Sequence, residues 1–219
     1  MMNTLHIGNR NYSSWSLRPW LVLKWAGIPF TEHVIPLGGE GYGRGRMPAV
    51  RAVSPTGLLP ALAVADRTIP DSLAITEWAA EQIPGVWPAD PTRLAAARAA
   101  VTEMHSGFGA LRRDLSMNIR RRCLVEAWPD DTRADIARVV ELISSLLTRF
   151  GGPWLVGERS AADAFYAPVA TRFRTYGVVL PIDVQAWCDT VFADPDFRAW
   201  EAAALAEHWA LASTDKLWG

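Results

Sequence analysis

Two different spacings of apolar residues run along this chain, and one gives way to the other near residue 84. Leu5-His6-Ile7-Gly8 reads as a short strand ending at the polar run Asn9-Arg10-Asn11. Ser13-Ser14-Trp15-Ser16-Leu17-Arg18-Pro19 predicts a helix start, because hydroxyls cap the free N–H groups of a first turn and proline is tolerated there. Trp20, Leu21, Leu23 and Trp25 carry that helix to Ala26, and Gly27 closes it. Residues 31–37 alternate like a half-buried strand, and 38–45 form a glycine-rich loop. The loop lacks the strand-then-helix setting of a nucleotide-binding fingerprint. Residues 59–64 and 67–70 read as two strands around the turn Ala65-Asp66, after which Asp71-Ser72 opens a helix through Ile75, Trp78 and Ala79.

Pro84, Gly85, Pro88 and Pro91 then interrupt the pattern, and beyond them the helical period dominates. Over 92–122 a stripe runs through Val101, Met104, Phe108, Leu111 and Leu115. Over 131–150 another runs through Ile136, Val139, Val140, Ile143, Leu146 and Leu147. Gly151-Gly152-Pro153 ends the second helix, and Ser160-Ala161-Ala162-Asp163 is a capping box for the next. Helices around 184–193 and 195–212 complete the chain. The order β-α-β, loop, β-β-α followed by helices predicts two domains: a thioredoxin-like α/β domain over 1–83 and an all-α domain over 91–219, joined by a linker at 84–90.

Composition narrows the class. With 219 residues, half of them hydrophobic and 21% charged, the chain has an ordinary folded composition. A net charge of −1 gives no electrostatic footprint for nucleic acid, and the basic run Arg120-Arg121-Arg122 reads as a solvated helix end. No apolar run is long enough to span a bilayer, and the first residues lack the pattern of a secretory signal. Cys123 and Cys188 form no CxxC pair, which argues against a disulfide framework or structural zinc and for a reducing, cytoplasmic setting.

Four features fall in order along the chain: Ser13-Ser14-x-Ser16-x-Arg18, Ser54-Pro55-Thr56-Gly57-Leu58-Leu59-Pro60, Asp71-Ser72, and Gly157-x-x-Ser160-x-Ala162-Asp163. Together they resemble the glutathione transferase superfamily over nearly the whole chain, and the serine loop resembles its zeta and theta branches. The resemblance implies glutathione as cosubstrate, no metal, a homodimer, a role in detoxification and a small electrophilic or hydrophobic second substrate. It also implies that a hydroxyl of Ser14 or Ser13 faces the glutathione sulfur, with Tyr12 as a third candidate. Trp15 stands where the zeta branch has cysteine, which argues against maleylacetoacetate isomerisation.

The chemistry asked of that hydroxyl is clear. A thiol with a pKa of about 8.5 is only slightly ionised at neutral pH, and the thiolate is the nucleophile. Lowering its pKa by about two units requires about 2.7 kcal/mol of preferential thiolate stabilisation. A hydroxyl donor at a helix N-terminus supplies much of this, acting neither as base nor as covalent nucleophile. By the same resemblance, Leu59-Pro60 is a cis-proline turn that presents backbone to the cysteinyl part of glutathione. Asp71 and Ser72 hold its γ-glutamyl end, a role that an ordinary helix cap also fits. Ser160 and Asp163 serve folding. On a continuous helix over 92–122, His105, Phe108 and Arg112 share one face and form a candidate pocket for an acidic or aromatic acceptor. The leading function is transfer of glutathione to an electrophile. The alternatives are glutathione-dependent isomerisation or peroxide reduction on the same site, or a glutathione-binding interaction protein with little turnover.

Overall fold

A computed structural model describes residues 2–218. Strands β1 (Asn3–Ile7), β2 (Phe30–Val34), β3 (Ala61–Val64) and β4 (Arg67–Pro70) form one sheet in the order β2-β1-β3-β4. β1 runs parallel to β2, with His6 opposite His33, and antiparallel to β3, with Leu5 opposite Leu62. Parallel β1 and β2 need a crossover, which α1 (Ser14–Trp25) provides, while β3 and β4 are joined by a tight turn. Leu5, Ile7 and Leu62 are fully buried on the face that meets the helices. This is a thioredoxin-like mixed sheet, completed by α2 (Pro48–Arg51) and α3 (Ser72–Gln82).

The remainder is helical: α4 (Pro91–Ser106), α5 (Gly109–Asp114), α6 (Asp130–Phe150), α7 (Ala161–Tyr176), α8 (Ile182–Ala193), α9 (Pro195–Ala206) and α10 (Ala212–Asp215). Residues 83–90 contain no helix or strand. Helix α1 packs against α3 on one side and α7 on the other. One apolar core therefore runs from the sheet through Leu17 and Leu21 to Phe165 and Val169. No helix among the described residues is long and apolar enough to cross a membrane.

Four local expectations are corrected. Pro19 is the sixth residue of α1 and not in its first turn, so the ladder has no N–H for the Trp15 carbonyl. The helix expected over 92–122 breaks after Ser106. A side chain at Gly107 would meet the Glu103 carbonyl oxygen at 2.8 Å, and Phe108 takes φ 61°. The basic run is not a helix end, since residues 115–129 hold no helix and Arg120 bonds the Trp209 carbonyl at 2.7 Å and the Glu207 carbonyl. Helix α9 stops at Ala206, short of 212. There the extended Glu207 turns its carboxylate onto the N–H groups of Arg10 (2.8 Å) and Asn11 (3.2 Å).

Candidate active site at the start of helix α1

Three hydroxyls stand together between the end of β1 and the first turn of α1, and each has a different set of partners. Ser13 is the N-cap: its Oγ accepts from the Ser16 N–H at 3.3 Å and donates to Ser16 Oγ at 2.7 Å. Ser16 Oγ in turn accepts from the Gly8 N–H at 3.1 Å, so this chain ties the helix start to the strand end. Tyr12 donates its hydroxyl to the Asp215 carboxylate at 2.9 Å and accepts from Arg120 Nη2 at 3.0 Å and the Leu211 N–H at 3.1 Å. Ser14 Oγ accepts from Arg172 Nη2 at 3.0 Å and makes no other hydrogen bond among the described residues. Its own O–H is thus the uncommitted donor of the three.

Two cavities meet at this point. One, of about 260 Å³, is lined by Ser13, Ser14 and Trp15 together with Tyr42, Gly57 and Leu59. The other, of about 170 Å³, lies toward the helices and is lined by Ser14, Trp15, Tyr42, Arg112, Arg172 and Leu211, among others. Ser14 and Trp15 form the wall between them. Gly57 is required where it stands: at φ +71° a side chain there would meet the Gly45 carbonyl oxygen at 2.2 Å, and that approach closes the glycine-rich loop over the larger cavity.

The Leu59–Pro60 peptide is cis. Leu59 lines the larger cavity, and neither its N–H nor its carbonyl is paired among the described residues. The Pro60 carbonyl accepts from the Asp71 N–H at 3.3 Å. Asp71 caps α3 with Oδ1 on the Leu73 N–H at 2.7 Å, in a backbone conformation of φ 78°, ψ 140° that is uncommon for a residue with a side chain. Its Oδ2 lies 3.5 Å from His105 Nε2. Ser72 is fully buried, and its Oγ has no partner among the described residues. Neither Asp71 nor Ser72 lines either cavity.

The break at Gly107 separates His105, on α4, from Phe108 and Arg112, which stand one turn apart at the N-cap and within α5, so the three do not lie on one helix. His105 meets the edge of Trp15 with ring centroids 5.3 Å apart, and Phe108 is buried in the core. Arg112 alone lines the smaller cavity; its guanidinium carbon lies 4.8 Å from the Trp15 ring centre. Its Nε donates to the Gly107 carbonyl at 3.0 Å, and Nη2 donates to the Met104 carbonyl.

Sequence reasoning missed Arg172 and gave Arg18 no role beyond the motif. Arg172 projects from α7, a helix buried along nearly its whole length, and it bonds the Leu115 carbonyl as well as Ser14. Burial, with Arg112 nearby, pushes its guanidinium down to about 9, so it stays charged at neutral pH. Arg18 is buried with its guanidinium carbon 4.2 Å from the Trp15 ring centre and 5.0 Å from that of Phe165; its Nε and Nη1 have no partner among the described residues. Burial, then Arg112 and Arg172, lower its pKa. The available signal was a charged residue seven positions after Phe165 in an otherwise apolar run, hence on the same helix face.

Residues 12–82, which hold the serine loop, the Leu59–Pro60 turn and the Asp71-Ser72 pair, match the model of the glutathione S-transferase N-terminal domain. The fold is that of a glutathione transferase. A glutathione transferase homolog from Burkholderia GL BGR1, solved with bound glutathione, aligns with a TM-score of 0.72 and 21% identity over 94% of this chain and 100% of that one. The theta class glutathione S-transferase of the citrus canker pathogen Xanthomonas axonopodis pv. citri, also with glutathione bound, aligns at 0.64 and 26% over 90% and 95% of the two chains. FzlA from C. crescentus has the same fold, at 0.69 and 22% over 98% and 99%. No curated protein matches the sequence significantly. In glutathione transferase terms, the larger cavity lies on the thioredoxin-like side of Ser14 and the smaller one on the helical side.

Proposed function

We propose that the protein is a serine-type glutathione transferase of a zeta/theta-like branch, acting on an electrophilic second substrate. The observation that carries this reading is the free O–H of Ser14 on the wall shared by the two cavities. Glutathione occupies the larger cavity and pairs with the unpartnered backbone of Leu59, beside Pro60. Its γ-glutamyl end extends beyond the lining of that cavity to Asp71 and Ser72 at the start of α3, where the carboxylate meets helix N–H groups and the ammonium meets Asp71. Ser14 accepts from Arg172 and donates to the sulfur. The guanidinium polarises the hydroxyl and makes it a stronger donor.

The thiol proton leaves to solvent on ionisation. The sulfur then attacks the electrophilic carbon in the smaller cavity, forming the C–S bond as the leaving group departs with its bonding pair. The same proposal divides the chain into a glutathione-binding domain over 1–83, a linker at 84–90 and a substrate-binding domain over 91–219, in a cytoplasmic homodimer. Preferential proteolysis inside α6, with 84–90 uncut, would contradict that division.

The test is a set of three variants assayed for turnover and for the pKa of bound thiol. Ser14→Ala raises that pKa by about one to two units, the equivalent of a lost charge-assisted hydrogen bond. It slows turnover near neutral pH, and the rate returns at high pH where the thiol ionises unaided. Ser13→Ala and Tyr12→Phe leave the pKa in place. A pH-rescuable defect confined to either of them reassigns the donor, and no pKa change in all three removes the hydroxyl mechanism.

A further inference from the structure

The smaller cavity has an unusual charge. Among the described residues its lining contains two guanidinium groups, of Arg112 and Arg172, and no carboxylate. Neither of them, nor Arg18 behind Trp15, forms an ion pair among the described residues. Three acids stand behind the lining: Asp135 acts on Arg112 and is bonded to the Leu111 N–H at 3.0 Å, Asp71 acts on Arg18 and is held by the cap of α3, and Asp215 accepts from the Tyr12 hydroxyl at 2.9 Å. Other half-buried arginines are satisfied in one of two ways: Arg10 and Arg174 pair with carboxylates, of Glu32 and Glu207 and of Glu201, while Arg93, Arg120 and Arg121 donate to backbone carbonyls.

Burying like charges together without a counter-charge is costly, and a ligand anion offsets that cost where no side chain does. The geometry leaves donors for it. Arg172 is 4% exposed, and its two bonds, to Ser14 and the Leu115 carbonyl, use two of five N–H groups. Among the described residues Arg112 keeps Nη1 free while Nε and Nη2 hold the α4–α5 break. The Trp15 ring beside them supplies a flat apolar surface, already faced by Arg18 and Arg112.

We infer that the second substrate is a carboxylate-bearing electrophile, its carboxylate received by Arg112 and Arg172 and its reactive carbon lying over Trp15 toward the sulfur site. This rests on the proposed transferase reading. Arg172 thus serves two ends: one N–H polarises Ser14 while others hold the substrate acid, which fixes the distance between acid and sulfur. The reaction is the one given above, with chloride as the leaving group for a chloroarene and no oxidant or reductant involved.

The test compares 4-chloro-3,5-dinitrobenzoate with its carboxamide, each rate divided by the uncatalysed rate with glutathione. The native protein favours the acid by about tenfold or more in kcat/KM, equivalent to about 1.4 kcal/mol. Arg112→Gln brings the ratio to about one, and Arg112→Lys, which keeps the charge and loses the fork, falls between. Bound-thiol pKa is read alongside, so loss of sulfur activation is separated from loss of acid recognition. Calorimetry with unchlorinated 3,5-dinitrobenzoate and its amide decides the matter without turnover. Equal or weaker binding of the acid overturns the inference while leaving glutathione conjugation intact. Conversely, absent glutathione binding with the acid still preferred in calorimetry removes the transferase reading, and with it the role as second substrate, and leaves a carboxylate-binding site in the smaller cavity. Equal losses for acid and amide in Arg112→Gln reduce that residue to a structural role and overturn the assignment. Inorganic phosphate competing as well as the dinitrobenzoate makes the cavity an inorganic-anion site, with the same consequence.

Discussion

Arg172 Nη2 lies 3.0 Å from Ser14 Oγ, joining α7 to the first residue of α1 across 158 positions of sequence. Because the arginine donates, the serine keeps its own proton for a third partner. If the two act as one unit, their effects on bound-thiol pKa are not additive. In the cycle of Ser14→Ala, Arg172→Met and the double variant, the double variant shifts the pKa by clearly less than the sum of the singles. Additive shifts would mean that Arg172 acts on the sulfur as an independent charge.

Asp71 combines a helix cap with a backbone conformation that glycine adopts more easily. Loss of the cap costs about 1 kcal/mol, and relief of the positive φ returns about 1–3 kcal/mol. Asp71→Gly is therefore expected to leave stability unchanged or slightly raised while weakening glutathione binding. In the native protein, glutathione at one hundred times its Kd adds about 2.7 kcal/mol of stability. Chemical denaturation with and without glutathione checks both expectations. An unchanged ligand effect in the variant would remove Asp71 from the binding site.

Asp163 is fully buried and accepts from the Leu155 N–H at 2.9 Å, the Ser160 N–H at 3.1 Å and Trp187 Nε1 at 3.1 Å. Burial outweighs those bonds and pushes its carboxyl up to about 6. The folded state then holds a proton that the unfolded chain releases near its ordinary value of about 3.9. Stability from this group is highest below about pH 4, falls as pH rises to about 6, and is flat above. The stability difference between native protein and Asp163→Asn should follow that course in denaturant titrations. A difference that grows with pH over the same window would show the hydrogen bonds winning over burial. Asp163→Ala, which strands three N–H donors, should cost about 3–5 kcal/mol.

The two thiols differ in access. Cys188 is 1% exposed and pushed up to about 12 by burial and then by Asp189, whereas Cys123 is only partly buried. A disulfide reagent should modify Cys123 in the folded protein and reach Cys188 only on unfolding. Fast modification of both would contradict the packing of α8 against the core.

Local sequence was enough for elements whose causes are local. Ser13 caps α1 and Gly27 follows its end; Asp71 starts α3; Ser160 and Asp163 form the capping box of α7. Each depends on hydrogen bonds between residues a few positions apart, and the ordered set of them pointed to the two-part fold. The apolar stripe of α6 was legible for the same reason: period 3.6 is a property of neighbouring residues. Most of what the sequence left open depended on residues distant along the chain. Tyr12 is drawn to Asp215, Ser14 to Arg172, and Ser13 to Ser16, and only these partners separate three adjacent hydroxyls into different roles. The helix break at Gly107 comes with an extended Gly107 and a left-handed Phe108, and the basic run at 120–122 meets a C-terminal segment nearly ninety residues away. Hydrophobic period and capping chemistry determined which elements exist. The three-dimensional packing of α1 against α7 decided which hydroxyl is free and where the arginines meet, because a buried polar group takes its partner from whatever the fold brings within reach.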